Sequence, residues 1–218
     1  MKKELIFLGP PACGKGTQTE RLAKELGFPH VDTGSLLRAE IKKQTPDGKL
    51  ADSFISKGQL VPVDLVASII GARLSEQDCD NGYILDGYPR SIEQAEKLSE
   101  INERINQDEE VDFRAVYFDV DTDVLLSRIV NRRSCPKCGA IYNIKYHPPK
   151  QSNICDCCGT ELVQRADDTE EIAKKRFETY FKQTAPLTDF YKSLGVLRTI
   201  DANGSIEDVW ERLQEAIS

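Results

Sequence analysis

The sequence predicts an α/β protein, a five-stranded parallel sheet with helices on both faces, and three observations carry that prediction. An apolar run, Glu4 to Leu8, stops at Gly9-Pro10-Pro11 and is followed from Lys15 to Leu26 by apolar positions at helical spacing, giving a strand, a glycine loop and a helix in succession. The runs Tyr83-Ile84-Leu85, Ala115-Val116-Tyr117-Phe118 and Val196 to Ile200 are rich in β-branched and aromatic residues without polar alternation, as strands covered on both faces should be, and Val31 marks a fifth. Helix starts lie between them. Ser91-Ile92-Glu93-Gln94 fits a capping box, Thr122 is placed to cap a helix over Asp123 to Arg132, and Ser205 is placed to cap the last helix through Ile217. Parallel neighbours need crossovers of one hand, so this alternation closes most simply on one doubly covered sheet.

Two stretches interrupt it. From Thr33 to Ser75 the chain reads as helical without a strand, and from Ser134 to Ala166 it holds paired cysteines, Pro148-Pro149 and few large apolar residues. The predicted organisation is a core of residues 1–32, 76–133 and 167–218, a helical insert over 33–75 and a small cysteine-bearing insert over 134–166.

Composition bounds the function. With 218 residues, 39% hydrophobic and 30% charged, the chain can bury one sizeable core and is neither disordered nor fibrous. The apolar run Leu5 to Leu8 after Lys2 and Lys3 is too short for a secretory signal, and no run approaches the roughly 20 residues of a membrane span, so a soluble, cytoplasmic protein without a membrane partner is expected. A net charge of -7, from 29 Lys plus Arg against 36 Asp plus Glu, argues against a general nucleic-acid coat. Any anionic partner must be met by a local cluster.

The loop Gly9-Pro10-Pro11-Ala12-Cys13-Gly14-Lys15-Gly16-Thr17 supplies one. It follows a strand and opens a helix, where backbone N–H groups and the positive end of the helix can wrap a polyphosphate while the lysine adds a point charge. Gly16 stands where a strict P-loop carries the Mg2+-binding Ser or Thr, with Thr17 one place later. Asp86 ends the strand Tyr83 to Leu85, which puts its carboxylate at the carboxyl edge of the sheet, where ligands bind and where it can hold Mg2+ through water. The alternative for Asp86 is a turn residue ahead of Gly87.

Seven cysteines are an odd count for a disulfide framework. Cys135, Cys138, Cys155 and Cys158 form two C-x2-C pairs, each followed by a glycine, a pattern that fits a tetrahedral Zn2+ held by four thiolates. Four protein ligands leave no place for water, so the metal would be structural. Two disulfides, an iron-sulfur centre, or Cys157 in place of Cys158 are the alternatives. Cys13 and Cys79 are expected to pack.

Five motifs together resemble one family. Gly9 to Gln18, Asp32 to Arg38, Gly58 to Pro62, Leu85 to Arg90 with Gln94, and Gln164 to Asp168 are similar, in this order and over essentially the whole chain, to motifs of the adenylate kinases, and the four-cysteine insert is similar to the lid of their long, zinc-bearing bacterial type. The resemblance implies the P-loop nucleoside monophosphate kinase fold, with residues 33–75 as the monophosphate-binding part and 134–166 as the lid. It implies reversible, Mg2+-dependent transfer of the γ-phosphoryl of ATP to AMP, giving two ADP, by a monomer that binds no nucleic acid. Lys15, Arg90, Arg128, Arg132, Arg165, Arg176 and Asp86 would serve catalysis. Residues Gly9, Pro10, Pro11, Ala12, Cys13, Gly14, Lys15, Gly16 and Thr17 would hold ATP with Arg128, Arg132 and Tyr142. Thr33, Gly34, Arg38, Gly58, Gln59, Leu60, Val61, Gly87, Arg90, Gln94, Arg165 and Arg176 would hold AMP. The chemistry agrees: phosphoryl transfer spreads charge over equatorial oxygens, so positioning and cationic clamps suffice without a protein nucleophile. Another nucleoside monophosphate, GTP as donor, or a nucleotide-dependent nucleic-acid-binding module whose thiolate ribbon meets DNA or RNA are the competing readings.

The chain departs from the family pattern in two places. Ala12 stands where the family has Gly, which puts a methyl group in a tight loop, and Ser35 stands where an acidic residue is common, which touches helix capping. Gln94 has a capping role open to it besides the base of AMP. His30 and His147 are read as loop or packing residues, Arg133 as a helix-end charge, Arg104, Arg114 and Arg198 as solvated, and Asn102 to Asp112 as an acidic surface excursion.

Overall fold

The computed structural model describes residues 1–107 and 109–218. Strand β1 (Lys2–Leu8) leads through the glycine loop into α1 (Lys15–Leu26), β2 (His30–Asp32) and three helices, α2 (Thr33–Lys43), α3 (Pro46–Ile55) and α4 (Val63–Leu74). Then come β3 (Gly82–Asp86), α5 (Ile92–Asn106), β4 (Val111–Asp119), α6 (Leu125–Val130), β5 (Arg132–Ser134) and β6 (Ile141–Asn143). The chain ends with α7 (Glu170–Thr179), α8 (Leu187–Ser193), β7 (Leu197–Asp201) and α9 (Ile206–Ile217).

Five strands form one parallel sheet in the order β2-β3-β1-β4-β7, and β5 and β6 form a separate antiparallel pair. Strand β1 shows why both faces are covered. Ile6 and Leu8 enter the core cluster shared with α4, α5 and α8, whereas Leu5 and Phe7 enter the cluster shared with α1 and α9. A strand whose successive side chains are all buried cannot alternate with polar residues. Each such side chain contributes about 1.5–3 kcal/mol of apolar burial. Because β1 is the middle strand, the loop after it opens at the carboxyl edge of the sheet, in the crevice such folds use for ligands.

Several boundaries moved. The sheet strands run longer than their apolar cores because ladder pairing recruits polar residues: Lys2 and Glu4 on β1 are buried, and β4 begins at Val111. Glu4 survives there by accepting from Asn102 at 2.6 Å and from Asn106 at 3.0 Å, while Lys2 donates to Asn106 at 2.9 Å. Asn102 to Asp112 is therefore not a surface excursion: it holds the last turn of α5, which closes this buried network, and the start of β4, with Asp108 outside the described residues. Thr122 does not cap the helix expected over Asp123 to Arg132. Asp121 accepts the N–H of Asp123, a short 3-10 turn follows, α6 spans only Leu125–Val130, and Arg132 opens β5. The capping box at Ser91 is half formed: Ser91 Oγ accepts from Gln94 N–H, but the Gln94 side chain turns to the N–H of Arg90 at 2.8 Å. Ser205 and Asp208 make the full reciprocal box at α9.

Among the described residues, no helix is long and apolar enough to cross a membrane.

Candidate active site

The glycine loop comes first. Lys15 Nζ donates to the carbonyls of Gly9 at 2.7 Å and Pro10 at 3.1 Å and lies 3.3 Å from Cys13 Sγ, so the ammonium is curled into its own loop. Ala12 sits at φ 64°, the left-handed region where a Cβ is strained. Cys13 is buried against the core under Gly9, as expected of a packing residue. Gly16 faces Asp86: a Cβ there would lie 3.5 Å from Asp86 Oδ2 and 3.8 Å from Ile141 Cδ1 of β6. The cysteine insert thus lies over the phosphate loop. It also docks on α6, where Asn143 Nδ2 donates to the Arg128 carbonyl at 2.9 Å and Ile144 N–H to that of Asn131 at 3.0 Å. Arg128 reaches back to the Ala12 carbonyl at 3.5 Å. Thr17 is exposed in the first turn of α1.

Further guanidinium groups gather nearby, each held by a carboxylate, a carbonyl or a hydroxyl. Arg132 makes a bidentate pair with the fully buried Asp168, its Nε donating at 2.7 Å. Arg176 on α7 donates to Asp167 at 3.2 Å and to Asp168 at 3.3 Å. Arg165 donates to Ser134 Oγ at 2.8 Å, and Arg90 donates to the Gly87 carbonyl at 2.7 Å. Arg38 donates to Asp32 Oδ2 at 3.2 Å.

These charges disturb one another. Burial, then the neighbouring Arg132 and Arg38, push the Arg165 pKa down to about 10. Burial and Arg132 lower that of Arg176. Arg90 is lowered by burial against the opposing pull of Asp32 and Asp86, yet the residue is exposed, so a ligand can reach it. Arg132 is raised, because the Asp168 bond and charge outweigh the cost of burial. A cluster of cations destabilised by its own members is a site that gains from a polyanion.

A further group of residues is set by α2 and the loop before α4. Thr33 is buried with a hydroxyl oxygen that has no partner, beside Gly34. Gly58, at φ 70°, packs within contact of α7: its carbonyl accepts from Thr179, and a Cβ on it would crowd the Ile172 carbonyl and the stem of Arg176. Gln59 is exposed, Leu60 half-buried and Val61 buried in the core. Gly87, at φ 82°, leaves room for Arg90 Nη2, which a Cβ would meet at 2.9 Å.

In the insert, the four sulfurs of Cys135, Cys138, Cys155 and Cys158 all lie within 4.8 Å of one another. Three sulfur pairs stand 3.4–3.6 Å apart, close to the roughly 3.8 Å edge of a tetrahedron with 2.3 Å metal-sulfur bonds. The donor set fits Zn2+. Gly139 and Gly159, at φ 79° and 70°, turn each knuckle so that their N–H groups bond the carbonyls of Cys135 and Cys155. Cys157 is exposed outside the four. The Tyr142 ring is buried in the miniature core with Cys135, Cys155 and Leu162, and its hydroxyl accepts the Asp156 N–H at 2.8 Å, so it packs the knuckles.

Sequence reasoning also missed two partners. His30 Nε2 stands 3.6 Å from Asp86 Oδ2, because β2 pairs with β3 and sets His30 beside Ile84, two residues before Asp86 on the same face of the strand. Burial would lower the His30 pKa, but the nearby Asp86 carboxylate, with the charges of Asp32 and Glu20, raises it. Asp168 anchors Arg132 and Arg176 together. Its place in the motif Gln164 to Asp168 was visible; its partners were not.

A glycine loop at the carboxyl edge of a parallel sheet, facing a cleft of guanidiniums and offering no activated nucleophile, defines a P-loop phosphotransferase that acts on nucleotides. Comparison narrows the class. Residues 7–196 match the family model "Adenylate kinase". Curated relatives named adenylate kinase include one from Caldanaerobacter subterraneus subsp. tengcongensis, 44% identical over 98% of this chain and 95% of its own, and one from Archaeoglobus fulgidus, 43% identical over 96% and 95%. A third, from Clostridium kluyveri, is 42% identical over 98% and 97%. The chain belongs to the adenylate kinase family, and it is a phosphotransferase enzyme.

Proposed function

We propose that the arginine cleft carries reversible transfer of the γ-phosphoryl of ATP to AMP, giving two ADP, with the residues in the roles that follow. Gly9 to Thr17 cradle the donor phosphates through backbone N–H groups and the start of α1, with Lys15 swinging from its loop carbonyls onto them. Arg38 and Arg90 clamp the phosphate of AMP, and Thr33, Gly34, Gly58 to Val61, Gly87 and Gln94 surround its nucleoside. Arg128, Arg132, Arg165 and Arg176 neutralise the charge that spreads over the transferring group. Arginine suits this task because its planar fork meets two phosphate oxygens at once.

Asp86, at the end of β3 and facing Gly16, would hold Mg2+ through water, beside His30. The ion supplies charge neutralisation for the donor phosphates. The four cysteines would hold Zn2+ as a scaffold, since all four positions are taken by protein sulfur. Residues 134–166 act as the lid that excludes water before transfer, 33–75 as the monophosphate-binding subdomain, and 1–32, 76–133 and 167–218 as the core. The protein works as a cytoplasmic monomer on free nucleotides.

The observation that supports this reading most is the gathering of Arg132, Arg165 and Arg176 around Ser134, Asp167 and Asp168, with Arg128 reaching back to the phosphate loop at the Ala12 carbonyl. The test incubates purified protein with MgATP and AMP, follows ADP, and repeats the assay with a panel of acceptors and with GTP. Absence of ADP formation would refute the reaction; a preference for another base would move the substrate but leave the chemistry.

A further inference from the structure

The acceptor clamp already holds an anion. Arg38 Nη2 donates to Asp32 Oδ2 at 3.2 Å and to Ser35 Oγ at 3.0 Å, and the Ser35 hydroxyl is bonded to that same carboxylate oxygen. The carboxylate also accepts the N–H groups of Gly34 at 3.0 Å and Ser35 at 3.1 Å, at the positive end of α2. Backbone N–H groups, a hydroxyl and a guanidinium are the donor set a phosphate would recruit, and here Asp32 takes it. The placement follows from the fold, because β2 ends beside β3 and puts Asp32 in register with Asp86 at the carboxyl edge.

Resting on the reading of Arg38 as the clamp for the monophosphate, we propose that Asp32 is a built-in competitor of the acceptor phosphate, holding Arg38 in the free enzyme and yielding it when the nucleotide arrives. Asp32 then sets acceptor affinity without touching the transferred group, which makes it a positioning residue. Gly34 supports the exchange. Its missing side chain leaves the guanidinium room over the start of α2, where a Cβ would stand 2.9 Å from Arg38 Nη1. Release of Arg38 does not strand the carboxylate, since the Gly34, Ser35 and hydroxyl bonds remain.

The substitution that isolates this is Asp32→Asn, because Asn caps a helix as well as Asp but carries no charge. Arg38 and Asp32 are 38% and 29% exposed, so losing their pairing is worth a factor of about 2–5 in an equilibrium, and removing a negative charge beside a dianion acts in the same direction. The expected result is an AMP KM lowered roughly 3- to 10-fold with the ATP KM unchanged, while the thermal midpoint at neutral pH falls with the lost charged cap. A helix-capping role alone would lower the midpoint without lowering the AMP KM. Asp32→Ser, a second cap-competent change, should behave alike. An AMP KM that is unchanged or higher in both variants, while Arg38→Ala raises it, overturns the competitor role alone. An AMP KM unmoved by Arg38→Ala as well overturns the reading of Arg38, and the inference falls with it.

Discussion

Replacing Ala12 by Gly should stabilise this protein, although glycine normally costs stability. Ala12 holds φ 64° inside the phosphate loop. An L-residue with a Cβ in this left-handed region carries about 1–2 kcal/mol of strain. Glycine removes that strain but enlarges the unfolded ensemble, an opposing cost of about 0.4–1 kcal/mol. The difference leaves a net gain of about 0–1.6 kcal/mol, centred on ~0.8 kcal/mol, which for a chain of this size raises the midpoint by roughly 2–3 °C. No side-chain contact is lost except a methyl group, since the neighbouring bond from Arg128 is to the Ala12 carbonyl. Paired thermal melts of the two proteins without nucleotide measure it. A midpoint that falls, or stays within error, would show that the loop carries no strain at this residue.

Other outcomes follow from the same geometry. Arg90→Ala removes a guanidinium that solvent already reaches, so the protein should stay folded, with turnover down by at least about 100-fold in an ADP-formation assay. Asp168→Asn strands Arg132 and Arg176 beside a buried neutral group; urea unfolding should show about 3–5 kcal/mol lost, and a loss below about 1 kcal/mol would deny the carboxylate its anchoring role. Mass spectrometry of native protein should find about one Zn2+ per chain, and chelation should abolish activity at raised temperature while sparing it in the cold. Instant loss at every temperature would instead make the metal catalytic. Asp32 has its pKa held below the ordinary 3.8 by the Ser35 bond and the charges of Arg38 and His30, against burial that pushes it up. Its contribution to stability is therefore complete above 3.8 and lost as pH falls through the lower folded value, so Asp32→Asn should flatten the acid limb of a stability-pH curve.

What could be read from the sequence was whatever lies close along the chain. The phosphate loop, the cap at Ser205 and the cysteine pairs each place their chemistry within a few residues, so spacing alone exposes them. Asp86 was legible because the end of a strand is itself a position in the fold. His30 was not, since its neighbour depends on β2 lying beside β3, a pairing that no local pattern encodes. Asp168 and Gln94 failed to declare themselves for a related reason: their partners, Arg132 and the Arg90 N–H, are chosen by how loops fold back. Lys2 and Glu4 are buried on β1, and their bonds to α5 make that burial tolerable, partners that no local pattern shows. The packing of Tyr142 was not legible either, because the crowding of Cys155 and Leu162 around it decides where its ring goes.

The four sulfurs gather the ends of two knuckles into a single knot, and Arg132 and Arg165 stand just outside that knot on either strand of the chain. In the proposed role as lid, such a piece would swing like a door without assembling itself at each cycle, so the entropy of closing would fall on a few hinge dihedrals at its base. Surface residues far out on the door are then free to drift in sequence, whereas a change of one residue in length between the knot and either arginine would leave that charge out of reach of the phosphate it serves.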